Sequence, residues 1–162
     1  MSDETKTITL TVNGESVTKL VDARTHLVDF LRGELGLTGS HLGCEHGICG
    51  ACSVRLDGDV VRGCLMLAIQ TDGASIETVE GLTASGEVAD LQENFVERDA
   101  LQCGFCTPGM LITAAELLRE AAPKTREEIR EFLSGNYCRC TGYHAIVDAV
   151  ETTLTQRLEK SS

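Results

Sequence analysis

Apolar residues alternate with threonines between Ile8 and Val12, which is the pattern of a β-strand with one buried face. Asn13-Gly14 follows directly, and this pair favours a type I′ turn because both turn residues need positive φ. A returning strand is expected at about residues 16–21. The chain is therefore predicted to begin with a β-hairpin.

A helical pattern follows this hairpin. Apolar residues recur every three or four positions between Leu27 and Leu35. Thr25 is the expected N-cap of this helix, because its hydroxyl could accept a backbone hydrogen bond there. Gly36 lies just past the expected end, where a left-handed residue commonly closes a helix.

Short strands are predicted again beyond a cysteine-rich loop. Residues 53–57 and 60–65 alternate around an Asp57-Gly58 turn, and Cys64 falls within the second of these strands. A last short strand is expected at residues 75–79. Strands, one helix and further strands together indicate a small mixed sheet packed on a helix.

The pattern of apolar and polar residues changes after residue 81. Residues 83–87 are small and polar, which is typical of a linker, and helical periodicity follows. Four helices are expected. Their markers are Val88, Leu91 and Phe95 for the first, Thr107 as N-cap and Pro108 at N1 for the second, a Thr125–Glu128 capping box and an end near Gly135 for the third, and apolar residues from Ile146 to Leu158 for the fourth.

These elements predict an α+β fold with two domains. Residues 1–80 would form a β-grasp domain of the plant-type ferredoxin kind, and residues 88–162 a four-helix bundle. Residues 81–87 would link the two domains.

Composition narrows the possible functions. The net charge of −11 argues against binding to nucleic acid or to an anionic membrane surface. Residues 1–6 are polar and show no signal peptide, and no apolar run approaches the length of a membrane helix. The eight cysteines are therefore interpreted as reduced thiols of a cytoplasmic protein, where clustered thiols usually hold metal.

Four cysteines lie around a glycine-rich loop. Cys44, Cys49 and Cys52 are spaced as C-x4-C-x2-C, and Cys64 follows. This is the spacing of plant-type [2Fe–2S] proteins, in which the backbone must curl tightly around the cluster. The interleaved glycines permit that curl. An iron–sulfur cluster is the favoured interpretation, and structural zinc is the alternative.

The other four cysteines lie in the helical half. Cys103 and Cys106 precede the helix that starts near Pro108, and Cys138 and Cys140 precede the helix expected after residue 142. Two helix N-termini would favour an anionic cluster between them. The spacing is not a ferredoxin signature, and zinc would also tolerate it.

Three motifs carry a resemblance to a known family. They are C-E-H-G-I-C-G-A-C at residues 44–52, Q-C-G-F-C-T-P-G-M at residues 102–110 and G-N-Y-C-R-C-T-G-Y at residues 135–143. The chain resembles the small iron–sulfur subunits of the xanthine oxidase family of molybdenum hydroxylases, including those of carbon-monoxide-dehydrogenase type. The resemblance covers nearly the whole chain and all eight cysteines in order.

The resemblance implies cofactors and partners. Each domain would hold one [2Fe–2S] cluster. A large subunit would hold the substrate and a molybdopterin cytosine dinucleotide cofactor, a medium subunit would hold FAD, and the whole would be a dimer of heterotrimers. Electrons from molybdenum would reach first the cluster of Cys103, Cys106, Cys138 and Cys140, then the cluster of Cys44, Cys49, Cys52 and Cys64, and then FAD.

The resemblance also implies roles for single residues. Gln102 matches the glutamine that hydrogen-bonds the pterin, and Cys140 matches the ligand nearest to the pterin. The substrate could be an aldehyde, an N-heteroaromatic compound, an acyl-CoA or carbon monoxide, and it would react in the partner subunit. His46 and Ile48 make the first loop less polar than in carbon-monoxide enzymes, which lowers that possibility.

Other interpretations compete with this one. The chain could be a stand-alone two-cluster ferredoxin or a zinc-stabilised interaction module. His46 could be a ligand of the Rieske kind, but four cysteines already complete the first set. No Ser/His/Asp or paired-carboxylate arrangement stands out, so no catalytic residue is assigned to this chain.

Overall fold

The computed structural model of the chain describes residues 4–120 and 122–161. Five strands form one mixed sheet in the order β2-β1-β5-β3-β4. Strand β5 pairs parallel to β1 and antiparallel to β3. The strands are β1 (Thr5–Val12), β2 (Glu15–Asp22), β3 (Ser53–Leu56), β4 (Asp59–Arg62) and β5 (Ser75–Glu77).

The first predicted hairpin is confirmed. Strands β1 and β2 are antiparallel, and Asn13 and Gly14 between them have φ of 51° and 84°. Both angles are positive, as a type I′ turn requires.

The second hairpin is also present, but its last strand is shorter than predicted. Strand β4 ends at Arg62, so Cys64 lies in the following turn and not within a strand. The amide of Leu65 donates to the carbonyl of Arg62 at 2.9 Å, and the amide of Gly63 donates to the carbonyl of Cys52 at 3.1 Å. This turn holds Cys64 beside Cys52, which a continued strand could not do.

The first helix is short and irregular. Helix α1 (Leu27–Asp29) continues as a π-helical turn over Phe30–Glu34. The prediction of Thr25 as its N-cap is wrong, because the cap is His26 in an extended conformation. The carbonyl of Thr25 instead accepts a 2.8 Å hydrogen bond from Ala68, at the start of a 3-10 helix (Ala68–Thr71). Gly36 lies past the end with φ of 68°, as expected.

Among the residues that the structure describes, five helices follow the sheet where four were predicted. They are α2 (Val79–Ser85), α3 (Ala89–Glu97), α4 (Thr107–Arg119), α5 (Arg126–Leu133) and α6 (His144–Ser161). Helix α2 is the additional one. It begins where the last strand was expected to end, and it overlaps the segment 81–87 that was predicted as a linker.

The predicted helix caps have different outcomes. The capping box of α5 is confirmed, since Thr125 accepts from the amide of Glu128 at 3.3 Å and donates its own amide back to the Glu128 carboxylate at 2.7 Å. Helix α4, however, is capped by Cys106, so Thr107 is its first helical residue and not its N-cap. The cysteine thus sits directly at the helix N-terminus.

Two apolar cores lie on either side of the cysteine loops. The first packs the sheet against α1, with Ile8, Phe30 and Ile76 fully buried. The second is formed by α2 to α6 and includes Leu82, so α2 packs with the helices. None of the helices within residues 4–120 and 122–161 is both long and apolar enough to cross a membrane.

Candidate metal centres

The first four cysteines converge between the glycine loop and the turn after β4. Cys52 and Cys64 are buried, whereas Cys44 and Cys49 are half-buried. The amide of Cys49 points at the sulfur of Cys44, with an N···S distance of 3.4 Å. A backbone donor of this kind stabilises negative charge on a sulfur, and it is the contact expected in a loop that wraps a cluster.

Glycine is required at the tight point of this loop. Gly47 has φ of 82°, and a Cβ at this position would lie 2.4 Å from Cδ1 of Leu65. Leu65 follows Cys64, so the loop and the turn that carries the fourth cysteine touch at this point. The close approach brings Cys64 to the other three cysteines of the set.

The environments of these thiols differ. Hydrogen bonds from the amides of Cys49 and His46 lower the pKa of Cys44 to about 6. Burial, together with the adjacent thiol of Cys52, raises the pKa of Cys64 to about 11. Only a thiolate binds iron, so Cys44 is ready to bind at neutral pH. Cys64 needs the positive charge of a metal to ionise.

The second four cysteines converge between the N-termini of α4 and α6. The sulfurs of Cys103 and Cys140 are 3.5 Å apart, and both residues are exposed. Cys106 and Cys138 lie deeper, and burial followed by the neighbouring Cys138 thiol raises the pKa of Cys106 to about 12. Helix α4 begins at Thr107, directly after Cys106, and helix α6 begins at His144, four residues after Cys140. Their N-terminal dipoles favour an anion between them.

Cys138 has an environment of its own. Burial alone would raise its pKa, but the hydroxyl and amide of Thr141, the amide of Cys140 and the thiol of Cys106 together lower it. The hydroxyl of Thr141 lies 3.1 Å from the Cys138 sulfur. The amide of Cys138 donates to the phenol oxygen of Tyr143 at 3.0 Å. Tyr143 reaches this position with φ of 69°, a left-handed conformation that is uncommon for tyrosine.

The cysteines meet in pairs, and this arrangement fits a [2Fe–2S] cluster at each site. All eight are free thiols. The neighbouring pairs are Cys44 with Cys49, Cys52 with Cys64, Cys103 with Cys140, and Cys106 with Cys138. Each iron of a [2Fe–2S] core takes two thiolates, so two pairs per site match the donor set.

A single metal ion fits these donors less well. Within the part of the chain that the structure describes, no three His, Cys, Asp or Glu side chains converge closely enough to hold one ion. A structural zinc site needs four ligands around one ion. The pairwise arrangement matches the two thiolates that each iron of a binuclear core takes.

A hydrogen-bonded seam joins the two cysteine sets. The amide of Tyr137 donates to the carbonyl of Cys49 at 2.8 Å. Tyr137 precedes Cys138, so a single hydrogen bond connects a cysteine of the first set to the neighbour of a cysteine of the second. The side-chain amide of Asn136 donates to the carbonyl of Gly50 at 3.3 Å and is buried. The two sets are thus held in fixed relation.

The His41–Phe105 contact also joins the two cysteine-bearing regions. The ring of His41 stacks on Phe105 with centroids 4.6 Å apart, and its Nδ1 is 2.8 Å from the Phe105 carbonyl oxygen. Phe105 lies between Cys103 and Cys106, and His41 lies three residues before Cys44. A Cβ at Gly43 would lie 3.1 Å from the Cys49 sulfur and 3.4 Å from the Phe105 ring. The first cysteine loop therefore packs directly against the segment that carries Cys103 and Cys106.

The sequence identified the cysteines but not the residues around them. All eight cysteines fall into the two predicted sets, and Gln102 is exposed beside Cys103. Asn136, Thr141 and Tyr143 were not predicted as site residues. Their positions next to ligands within G-N-Y-C-R-C-T-G-Y were the available signal, but only the fold shows which of their atoms face a sulfur or the other domain.

Two family models match the chain and together span residues 10–151. Residues 10–78 match a "2Fe-2S iron-sulfur cluster binding domain", and residues 78–151 match a "[2Fe-2S] binding domain". The first match contains Cys44, Cys49, Cys52 and Cys64. The second match contains Cys103, Cys106, Cys138 and Cys140. The family models thus divide the cysteines into the same two sets as the structure does.

Individual proteins resemble the chain over most of its length. It is 53% identical to the caffeine dehydrogenase subunit gamma of Pseudomonas sp. (strain CBB1), covering 90% of this chain and 89% of that protein. It is 56% identical to the nicotine 6-hydroxylase small subunit of Paenarthrobacter nicotinovorans, covering 88% and 86%. A crystal structure of quinoline 2-oxidoreductase from Pseudomonas putida 86 contains a chain with 47% identity and a TM-score of 0.88, covering 96% and 97%.

Proposed function

Because the chain belongs to the family of small [2Fe–2S] subunits of molybdenum hydroxylases, we propose that it conducts electrons between two partner subunits of such an enzyme. The observation that carries the proposal is the pair of complete cysteine sets joined by the Tyr137–Cys49 hydrogen bond. The chain performs no substrate chemistry of its own.

We assign one domain to each cysteine set. The sheet and α1 are proposed to form a β-grasp domain that holds the first set, and α2 to α6 a helical domain that holds the second. The separate apolar cores of the sheet and of the helices support this division, and Val79 and Leu82 place α2 in the helical core. The sheet order, with β5 parallel to β1 in an otherwise antiparallel sheet, supports the β-grasp assignment.

Each cluster, when bound, accepts and releases one electron at a time. Cys103, Cys106, Cys138 and Cys140 would hold the cluster that receives electrons first, and Cys44, Cys49, Cys52 and Cys64 the cluster that delivers them. Cys52, Cys64 and Asn136 are buried, so these parts of the region between the sets are shielded from water.

We call Cys103, Cys106, Cys138 and Cys140 the helical set. We assign the entry of electrons to the exposed edge of this set. Cys103 and Cys140 are both exposed, and Gln102 beside them is exposed as well. We propose that Gln102 hydrogen-bonds a molybdopterin cytosine dinucleotide cofactor held by the large subunit, with Cys140 as the nearest ligand. Losing such a buried hydrogen bond in Gln102→Ala would weaken docking by about 1–3 kcal/mol and leave both clusters in place.

The remaining assignments concern the assembled enzyme. A medium subunit with FAD would take electrons from the first set, and the assembly would be a cytoplasmic dimer of heterotrimers. The names of the caffeine, nicotine and quinoline enzymes favour an N-heteroaromatic substrate, bound by the large subunit. Co-purification of two larger subunits would distinguish this assembly from a stand-alone ferredoxin.

The order of transfer can be tested with Cys52→Ser. Cys52 is buried in the first set, so its loss should disable that set alone. Rapid-freeze EPR after addition of substrate should show the helical-set signal at the normal rate and slow reduction of the flavin. Cys106→Ser is the matched control, since it should abolish the helical-set signal itself. Normal flavin reduction in Cys52→Ser would contradict the proposed order.

A further inference from the structure

A threonine hydroxyl lies against one sulfur of the helical set. Oγ1 of Thr141 is 3.1 Å from Sγ of Cys138. Within residues 4–120 and 122–161, no other side-chain hydroxyl is found donating to a cysteine sulfur. Cys106, Cys103 and Cys140 thus have neighbouring thiols as side-chain partners, whereas Cys138 has a hydroxyl as well.

The direction of this hydrogen bond follows from a second contact. The amide of Tyr143 donates to Oγ1 of Thr141 at 3.2 Å. A threonine hydroxyl has one proton to donate. Tyr143 N–H occupies one acceptor position on the oxygen, and a metal-binding thiolate at Cys138 has no proton to donate, so the hydroxyl proton points to the sulfur. An N–H donor behind an O–H donor also strengthens it, since hydrogen bonds in a chain polarise one another.

The surrounding backbone keeps this hydroxyl in place. Tyr143 is left-handed, with φ of 69°, and its phenol oxygen accepts the Cys138 amide at 3.0 Å. Its carbonyl accepts the amide of Val147 at 2.9 Å, which anchors the loop on the first turn of α6. Cys138, Thr141 and Tyr143 therefore form a closed ring of contacts. If this turn served only to start α6, the Thr141 hydroxyl would be needed to accept the Tyr143 amide. Its contact with the Cys138 sulfur would not be needed for that purpose.

We propose that Thr141 is a positioning residue that sets the reduction potential of the helical-set cluster by donating its hydroxyl proton to Cys138. Reduction adds negative charge to the thiolates, so a donor to the sulfur stabilises the reduced form and raises the potential. This inference rests on the proposed function, because it needs a [2Fe–2S] cluster on Cys103, Cys106, Cys138 and Cys140. It makes the helical set a better electron acceptor than its ligands alone would.

The test compares Thr141→Val with Thr141→Ser in the assembled enzyme. Valine keeps the shape and removes the hydroxyl, whereas serine keeps the hydroxyl. In EPR-monitored redox titrations, Thr141→Val should reduce the ratio of reduced to oxidised helical-set cluster about tenfold at a fixed potential, or about 59 mV for one electron. The first set should not shift, and Thr141→Ser should restore the wild-type value. Thr155→Val is the matched control, since the Thr155 hydroxyl bonds the Glu151 carbonyl on an exposed part of α6.

Two results would overturn the proposal. One is a helical-set potential that is the same in wild type and Thr141→Val. The other, which holds even where Thr141→Val does not retain its cluster, is a wild-type enzyme in D2O whose reduced helical set shows no exchangeable deuteron coupling in pulsed ENDOR. A wild-type enzyme with a single [2Fe–2S] EPR signal would instead contradict the proposed function itself.

Discussion

Asn136 connects three parts of the molecule through one side-chain amide. Its oxygen accepts from Thr113 of α4 at 3.0 Å and from Arg62 of β4 at 3.2 Å, and its nitrogen donates to the Gly50 carbonyl. Arg62 also donates to the carbonyl of Gly135 at 2.9 Å. A buried amide with all these partners is costly to replace, because each partner would be left unpaired.

Gly50 is a closely packed point of this seam, and we predict a large effect of Gly50→Ala. A Cβ there would lie 2.6 Å from Cγ of Asn136 and 2.7 Å from the Gly135 carbonyl oxygen, and φ is 75°. The positive φ costs about 1–2 kcal/mol and the overpacking about 1–3 kcal/mol. Urea unfolding of the holo chain measures the sum.

Gly73→Ala provides the matched control for this prediction. Gly73 has φ of 82°, and a Cβ there would meet nothing within 4 Å. It should therefore lose only the conformational part of the free energy of unfolding. Equal losses in the two variants would show that the seam can relax and does not depend on close packing at Gly50.

At the scale of elements, Arg55 attaches the sheet to the helices. It lies on β3 and is buried, and it donates to Glu87 at 2.7 Å and 3.0 Å and to Glu77 at 3.1 Å. Glu87 lies between α2 and α3. The Arg55 hydrogen bonds hold the pKa of Glu87 below its ordinary value of 4.5.

This ion pair predicts a pH-dependent stability. A carboxylate with a lowered pKa stabilises the fold above its unfolded pKa, and the contribution disappears as the pH falls through the folded value. Glu87→Gln should lower the free energy of unfolding by about 1–3 kcal/mol at pH 7, between the values for surface and buried pairs. The difference in the free energy of unfolding between Glu87→Gln and wild type should disappear as the pH falls below 4.5. A constant difference in urea unfolding from neutral to acid pH would contradict this account.

The secondary structure was predictable where local chemistry decides it. Asn13 and Gly14 adopt the positive φ angles of their turn readily, so the turn needs no distant contacts. Thr125 and Glu128 form a capping box from residues that are close in the sequence. The end of β4 and the presence of α2 depend on tertiary contacts. Cys64 leaves the strand because its sulfur must face Cys52, and α2 forms because Leu82 is buried against distant helices. Such tertiary contacts cannot be read from a single amino-acid sequence.

At the scale of the whole molecule, two apolar side chains flank the first set. Ile48 is 49% exposed and Leu65 is 60% exposed, on either side of the glycine loop. Under the proposed function this surface would face the FAD subunit. Apolar residues at the centre of an interface carry much of its binding energy.

We therefore predict that Ile48→Asp weakens binding of the FAD subunit by about 1–3 kcal/mol. The measured quantity is the flavin content of the purified complex at low protein concentration. Leu20→Asp is the matched control, because Leu20 is 65% exposed on β2 at the edge of the sheet. Flavin lost equally from both variants, or from neither, would place the FAD subunit elsewhere.

The cysteine sets could be predicted almost completely, whereas their mutual arrangement could not. Spacing assigns Cys44, Cys49 and Cys52 to one centre, because a short loop cannot separate them far. The contact between Cys49 and Tyr137 joins residues 88 positions apart in the chain. It depends on how α4 and the loop before Cys138 pack on Gly50, and no local pattern encodes that packing.

The Tyr137–Cys49 hydrogen bond has a consequence for the speed of the enzyme. Electron tunnelling slows exponentially with distance, so a breathing motion between the domains would make each transfer wait for a rare close approach. The backbone is closely packed at Gly109, since a Cβ on this residue would lie 2.2 Å from the Gly50 carbonyl oxygen. Contacts this close restrict changes in the distance between the two sets, so we expect the rate of electron transfer between the two proposed clusters to vary little from one transfer to the next.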